Sequence, residues 1–537
     1  MSWVALGVIV FLLVGYAFGA RVLRFVIRRR LHSYRVEYKQ LTPGSLASST
    51  GARKVAVLGG GVAGLTAALT LARRGYNVTL FEKKSFLGGK LGSSRRSIGG
   101  GAEAQVSHGF HAFFPHYHSF NRLLDSLGLR ESSRRIEDYV ICERGGRMLR
   151  FGEIENTPVL NLFSLLRKGM FSLSDALKAP GRDLYGIFLE YDSDETFRRY
   201  DHISYAEFSR KGQVPPRLKL AFNTFARAFF ADEEKLSLAQ LVKAFHFYYL
   251  SHDGGLLYDY PVRDYEAGLI RPISDELRSR GAELRLGEPV SELRVQRNGF
   301  EVNGSYHDAI VCAVDPAGLK RIAEQAEGFS PSLRAALSGV RVGQRYAVWR
   351  LWLDRDLRSD LPVFVITERD RALDAVTLYH RFEEETQKSL KEGEVDARVR
   401  SVIELHCYAV PDDLPSEQIR DVLLAELKGH FEELRGAAIL HEAFQVEQDF
   451  TAFHVGLEAG RPEVKTELPG FYLAGDWVKL PFPAMLLEAS AASGYLAANG
   501  ILAEDGLAPE PIFTVPGRGL MAGLGASKAR RKILGLS

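Results

Sequence analysis

Residues 54–82, KVAVLGGGVAGLTAALTLARRGYNVTLFE, decide the fold. Lys54 to Leu58 is a short apolar run of strand type, and Gly59-Gly60-Gly61-Val62-Ala63-Gly64 follows it directly. An Ala/Leu-rich helix then continues to about Arg74, Gly75 stops it, and a second strand runs from Tyr76 to Glu82. The whole reads as one βαβ unit. Gly59, Gly61 and Gly64 stand in G-x-G-x-x-G spacing. The first permits the tight turn, the second lets the backbone approach a pyrophosphate, and the third lets helix and strand pack closely. Unpaired N–H groups at the helix start, around Val62 and Ala63, then hold the phosphates. Glu82 ends the second strand, where its carboxylate can accept both ribose hydroxyls. The unit predicts an α/β, Rossmann-like domain, doubly wound on a parallel central sheet, with a dinucleotide site.

Two further segments choose between dinucleotides. Lys83-Lys84-Ser85-Phe86-Leu87-Gly88-Gly89-Lys90 follows Glu82 and brings a second glycine pair that lets the chain pass close to the flavin side of the cofactor. Near the far end, the strand Phe471 to Ala474 leads into Gly475-Asp476 and a small-residue helix. A carboxylate there can hydrogen-bond a ribityl chain, and the helix start directs positive dipole toward the flavin N1–O2 edge. A match at both ends of the chain favours FAD over NAD.

Outward from this unit, charge is unevenly spread. The chain has 537 residues and a formal net charge of +3, but residues 1–40 carry +6, residues 513–537 carry +5, and the body between them is left at −8. A mildly acidic body between basic ends argues against a nucleic-acid groove and for an anionic surface at both termini. Trp3 to Ala20 contains no charge, and eighteen residues rise about 27 Å as a helix, close to the hydrocarbon thickness. With the basic residues following the apolar run, it reads as an N-terminal transmembrane helix and not a cleaved signal, with the body facing the cytoplasm. Cys142, Cys312 and Cys407 are too scattered for a disulfide framework and fit a reducing compartment.

The expected organisation is a membrane anchor with a basic juxtamembrane segment (1–40), a linker (41–53), an FAD-binding domain from 54–115, 262–330 and 455–505, an inserted α+β substrate domain from 116–261 and 331–454, and a basic tail (506–537). Helical periodicity dominates 115–260, in runs such as LKLAFNTFARAFF and LAQLVKAFHFYYL, and several strand-like stretches between 340 and 450 predict a second sheet. Four histidines, His108, His111, His116 and His118, fall within eleven residues. They lack an established ligand spacing, so no metal is expected. The interleaved Phe110, Phe113 and Phe114 suit a wall around an apolar substrate.

At this point the order of elements resembles the flavin-containing amine oxidase superfamily. Within it, the chain is similar to the FAD-dependent carotenoid desaturase family, phytoene and ζ-carotene desaturases together with their ring-modifying relatives. The resemblance spans roughly 54–505 and is sharpest at His108-Gly109-Phe110-His111-Ala112-Phe113-Phe114, which is similar to the family's G-L-H-x-F-F segment on the flavin ring side. It implies that Val290 meets adenine through its backbone, and that Lys83, Lys90 and Met485 belong with the glycines and Asp476 among the cofactor-binding residues. Departures stand beside it. Lys90 occupies the place of an arginine and Ser107 that of a glutamate. The segment GDWVKLPFPAMLLEASAASG is one residue longer than the family's, with Leu487-Glu488 matching a Met-Glu pair. The family's arginine before the substrate-side proline is displaced, leaving Arg263 or Arg271 as substitutes, and with His111 these are the catalytic candidates.

The resemblance implies a membrane-anchored FAD-dependent oxidoreductase that desaturates a long apolar isoprenoid by hydride transfer to flavin. Its partners would be the bilayer, the isoprenoid, and a quinone or oxygen as electron acceptor. Three alternatives stand: an amine oxidase acting on a soluble amine; a carotenoid isomerase, saturase or aromatic-ring-forming enzyme; and a non-catalytic lipid-binding flavoprotein.

Overall fold

The structure, a computed structural model, describes residues 18–26, 29, 35–39, 53–152, 154–158, 160–169, 182–216, 219–220, 229–519 and 522. Its cofactor-side sheet has five strands in the order Glu283–Leu286, Asn77–Glu82, Lys54–Leu58, Ala309–Cys312 and Phe471–Leu473, every neighbouring pair parallel. The chain therefore leaves and rejoins this sheet four times. The helix Val62–Arg73 follows the central strand, and all of its residues except Arg73 are buried. Such a helix must be covered all round. One cover is the helix Leu486–Glu504, which approaches so closely that a Cβ on Gly494 would lie 2.4 Å from the Ala63 carbonyl.

A seven-stranded mixed sheet forms the other side of the molecule, in the order Ile439–Glu447, Tyr346–Leu353, Ser401–Cys407, Ala375–Leu378, Phe364–Thr367, Val140–Cys142 and Met148–Arg150. Its neighbours are antiparallel except where Phe364–Thr367 meets Val140–Cys142. On one face Trp349, Leu351, Ile403 and Leu405 pack with Ile419, Leu423 and Leu427 of the helix Ile419–His430. The opposite face looks toward the cofactor side. The stretch read as helical between 115 and 260 contributes two of these strands, Val140–Cys142 and Met148–Arg150, too short for a period of two to show. LAQLVKAFHFYYL is helical as Leu238–Phe245 and His246–Leu250, whereas most of LKLAFNTFARAFF lies outside the described residues.

The expected membrane-spanning helix, and with it a single-pass location, is corrected. Among the described residues no helix is long and apolar enough to cross a membrane. Most of Trp3–Ala20 lies outside the described residues. The described helix, 18–26, rises only about 14 Å, contains Arg21 and Arg24, and is tied to the body by an ion pair from Arg24 to Glu155. The linker also lies outside the described residues except for Arg53, which bonds Glu504 and Asp505 at 2.7 and 2.8 Å. Val36–Tyr38 pairs antiparallel with Ile512–Thr514, so the tail opens as a strand; the basic residues beyond Arg518 lie outside the described residues.

Candidate functional site: a flavin cradle opening into an aromatic chamber

A cavity of about 550 Å³ runs between the two sheets and is lined from both. At its cofactor end Gly59 has φ +100°, and a Cβ there would come within 2.7 Å of the Ala313 carbonyl oxygen. A Cβ on Gly64 would lie 1.9 Å from the Gly59 oxygen, so this glycine packs helix on turn behind the wall. Gly61 differs from both. Its φ of −76° suits any residue, and a Cβ there would find nothing nearer than 4.0 Å. The space in front of Gly61 is open cavity at a helix N-terminus, which is what a pyrophosphate requires. Val62 and Ala63 line the cavity beside it.

Glu82 also lines the cavity, only 7% exposed, held by the Gly60 N–H at 2.7 Å and the Lys84 N–H at 2.8 Å. Each oxygen accepts one such bond and keeps a lone pair for a ribose hydroxyl. Lys83 pairs with Asp315 at 2.5 Å, and Gly88, Gly89, Lys90 and Val290 complete this end. The second glycine pair has a role that spacing alone did not show: Gly88 and Gly89 have φ of +100° and +59° and press against the first glycine turn, Gly88 N–H bonding Gly60 O at 2.8 Å. Gly475, at φ +146°, has no room for a side chain beside the Trp477 indole, and Asp476 accepts a 2.6 Å bond from Thr451. An open glycine turn at a helix start, a ribose-ready carboxylate and a Gly-Asp at the far wall fit FAD.

Beyond this cradle the cavity turns aromatic. Phe110 stacks on Phe364 at 4.9 Å and 20°, and it meets Tyr258, Tyr260 and Phe382 at 5.9–6.1 Å. Phe114 packs against Tyr248 at 4.8 Å and Tyr258 at 5.4 Å. Phe113 does not line the cavity; it is buried against Phe120 and pairs its backbone with Asp259. Met485 is likewise buried behind the wall, as the residue preceding the helix Leu486–Glu504. Leu486 and Phe230 both line the cavity with positive φ, +49° and +53°, and strain of this kind persists where surrounding structure imposes it.

The histidines diverge. His108 contacts the Tyr346 hydroxyl, which donates to Asp449 at 3.0 Å, and burial lowers the His108 pKa to about 3. His111 lines the cavity with Nδ1 2.9 Å from the Gly109 carbonyl, and burial lowers its pKa to about 4. His116 is buried, and neither ring nitrogen has a hydrogen-bond partner among the described residues. Among the described residues no three His, Cys, Asp or Glu side chains converge as metal ligands would. Arg263 and Arg271 are not on the cavity wall; they pair near the surface with Glu385 at 3.2 Å and Glu266 at 3.7 Å.

Sequence reasoning missed the polar network behind the chamber. Arg350, 1% exposed, pairs with Glu404 at 2.9 Å, faces Glu383 at 3.8 Å, donates to Ser107 Oγ at 2.9 Å and lies 3.7 Å from the Tyr379 ring centre. Ser107, one of the departures from the family pattern, thus joins this arginine's shell. Burial raises the Glu383 pKa to about 7 despite Arg350. On the cavity side, His406 stands 2.8 Å from Thr377 Oγ1 and 3.7 Å from Glu404. The signal was present in SVIELHC: alternation puts Glu404 and His406 on one face of a strand and Ile403, Leu405 and Cys407 on the other.

Comparison with known proteins identifies the family. A family model described as flavin containing amine oxidoreductase matches residues 62–502. The chain is 34% identical to the carotenoid phi-ring synthase of Streptomyces griseus over 494 residues, 89% of this chain and 94% of the relative. It is 27% identical to the zeta-carotene desaturase of Synechocystis over 293 residues, 50% of this chain and 59% of the relative. Putrescine oxidase with putrescine bound shares the fold, at a TM-score of 0.61 and 16% identity, covering 84% of this chain and 99% of that one. A glycine cradle, the buried acid beside it and a family match over most of the sequence make this an FAD-dependent oxidoreductase that belongs to the flavin containing amine oxidoreductase family.

Proposed function

We propose that this protein oxidises the cyclic end group of a carotenoid to an aromatic ring. The observation that carries this reading is the aromatic chamber around Phe110, Phe114, Tyr258 and Phe364, opening directly from the cofactor cradle. Its rings can hold an apolar end group and stabilise positive charge developing on it, as aromatic faces do for cations. The 34% identity to a phi-ring synthase supports an end ring over an acyclic polyene, because the similar desaturases reach 27% identity at most. FAD, when bound, accepts hydride from the substrate and passes the electrons to a quinone or to oxygen. The chain's own residues exclude water from the chamber, and His111 presents an uncharged imidazole to it.

An amine cation finds less here. Of the acids on the cavity wall, Glu82 and Asp476 stand at the cradle, Asp449 accepts from Tyr346 at 3.0 Å, and Asp374 pairs with Arg369 at 3.6 Å and accepts the Tyr408 N–H at 2.7 Å. A bilayer is the natural source of so apolar a substrate, and the exposed Phe18, Val22, Phe25 and Phe163 offer it an apolar face.

Expression in cells that accumulate a carotenoid with cyclic end groups tests the reading. Aromatic end groups, identified by chromatography and mass, are the expected product. New double bonds only in an acyclic precursor would replace the end-ring reading with desaturation, and unchanged pigments would sink both.

A further inference from the structure

Resting on the end-ring reading, we propose that His406 accepts the ring proton, held in its accepting tautomer by Thr377 and Glu404. Each new ring double bond requires two departures, and the ring carbon that bears two methyl groups must also pass one of them to the adjacent cationic carbon, left by hydride loss, before the proton leaves and the ring becomes aromatic. One hydrogen leaves with its electron pair to the bound FAD; a neighbouring C–H bond then breaks, its electrons form the C=C bond, and its proton needs an acceptor. The FAD, reduced by two electrons, is reoxidised by the quinone or oxygen named above. The acceptor must lie in the chamber, because aromatic walls keep water from serving.

His406 meets the geometric requirements. It lies on the strand Ser401–Cys407, 2% exposed, on the cavity wall. Nε2 faces Thr377 Oγ1 at 2.8 Å, a contact that either group can donate, and the Glu404 oxygen at 3.7 Å favours the proton on Nε2, with Thr377 Oγ1 accepting it. Nδ1 then carries the lone pair, and it has no hydrogen-bond partner among the described residues. The space before it is kept clear by a glycine: a Cβ on Gly109 would lie 3.6 Å from Nδ1 and from Cε1.

The surroundings also separate His406 from His111. A proton acceptor needs its charged form stabilised. His406 has Glu404 behind it and Asp374 nearby, with Arg350 opposing them. His111 has for charged neighbours Lys90 and His406 itself, both of which oppose a positive imidazole. The remaining groups around His406 are Thr377, Tyr408 at 5.8 Å between ring centres and Phe364 at 6.4 Å. Burial lowers the His406 pKa below 6.5, Glu404 and Asp374 working against that shift, so near neutrality the ring is uncharged and able to accept.

The test uses the flavin-loaded full chain with His406→Gln, Thr377→Val and His406→Gly. His406→Gln should keep the bound-flavin spectrum and the substrate KM while kcat for aromatic product falls about 10²–10⁴-fold. The wild type should lose activity as pH drops through the His406 pKa below 6.5, and the residual activity of His406→Gln should lack that acid limb. Added imidazole should restore turnover to His406→Gly, and ¹⁵N NMR of labelled histidine should place the His406 proton on Nε2, with Thr377→Val weakening that preference. A flavin-loaded His406→Gln variant within threefold of wild type, an unchanged acid limb, or the proton on Nδ1 would overturn the assignment. If His406→Gln fails to hold flavin, imidazole rescue and the wild-type tautomer decide. Wild type that makes no aromatic ring overturns the end-ring reading itself, and this assignment with it; loss of the His406 effect alone leaves the reading standing.

Discussion

The two sheets that enclose the cavity contribute in opposite ways. The parallel sheet presents mainly backbone to the cavity: the positions there are glycines, and the polar groups on offer are N–H groups at the start of a helix. The seven-stranded sheet works through side chains. Both of its faces are covered, so every residue of Tyr346–Leu353 and Ser401–Cys407 is buried, and the inner face nevertheless carries Arg350, Glu404 and His406. Backbone recognition needs only local spacing. The ionic face depends on register, because Glu404 lies directly between Arg350 and Thr377, and His406 lies between Val348 and Ala375.

The contrast can be broken at either sheet. The largest effect is expected from Gly61→Val, whose side chain would enter the cofactor space and nothing else. The purified variant should lack the visible flavin spectrum while unfolding within about 1 kcal/mol of wild type stripped of flavin; retained flavin would refute the cradle. Next is Glu404→Ala, which strands a buried guanidinium and should cost about 3–5 kcal/mol in denaturant unfolding. The double change Arg350→Met with Glu404→Met should recover most of that loss, since replacing both partners removes the uncompensated charge. A double variant as unstable as the single one would mean that packing, and not charge, sets the cost.

The smallest effect concerns Glu488, which is fully buried and accepts the Ser119 and Phe120 N–H groups, yet burial raises its pKa to about 8. The folded chain favours the protonated acid, so this contribution to stability is complete below pH 4.5 and is lost as pH rises through about 8. Glu488→Gln should flatten that part of the stability profile, measured as unfolding midpoint against pH. An unchanged profile would assign the pH dependence to other groups.

Legibility follows the same division. Strand, glycine turn, helix and terminal acid all fall within 54–82, and Gly475-Asp476 carries its own local signal, so the cofactor lobe and its parallel sheet were readable from the sequence. Arg350 was not, because YAVWRLWL reads as a strand with a polar residue turned outward, and only the pairing with Ser401–Cys407 shows that Arg350 points inward to a carboxylate. Gly109 and His406 are nearly three hundred residues apart and meet only in three dimensions. Arg263 and Arg271 rest on the resemblance alone, as substitutes for a displaced arginine, and near-surface ion pairs hold them away from the cavity. The transmembrane expectation rests on an apolar run of which only 18–20 are among the described residues, and the helix there continues into Arg21 and Arg24.

The repeated return of the chain to its parallel sheet sets a timetable for synthesis. Glu82 emerges early, but the edge strand Phe471–Leu473 and the helix Leu486–Glu504 that cover the same cradle are made nearly four hundred residues later. At about 5–20 residues per second, that is a wait of about 20–80 s. The first βαβ unit spends this interval without its outer strand or the second cover for its buried helix. Flavin loading is therefore an event of the finished polypeptide, and a chain stalled before residue 471 would carry the glycine turn without the far wall of its site.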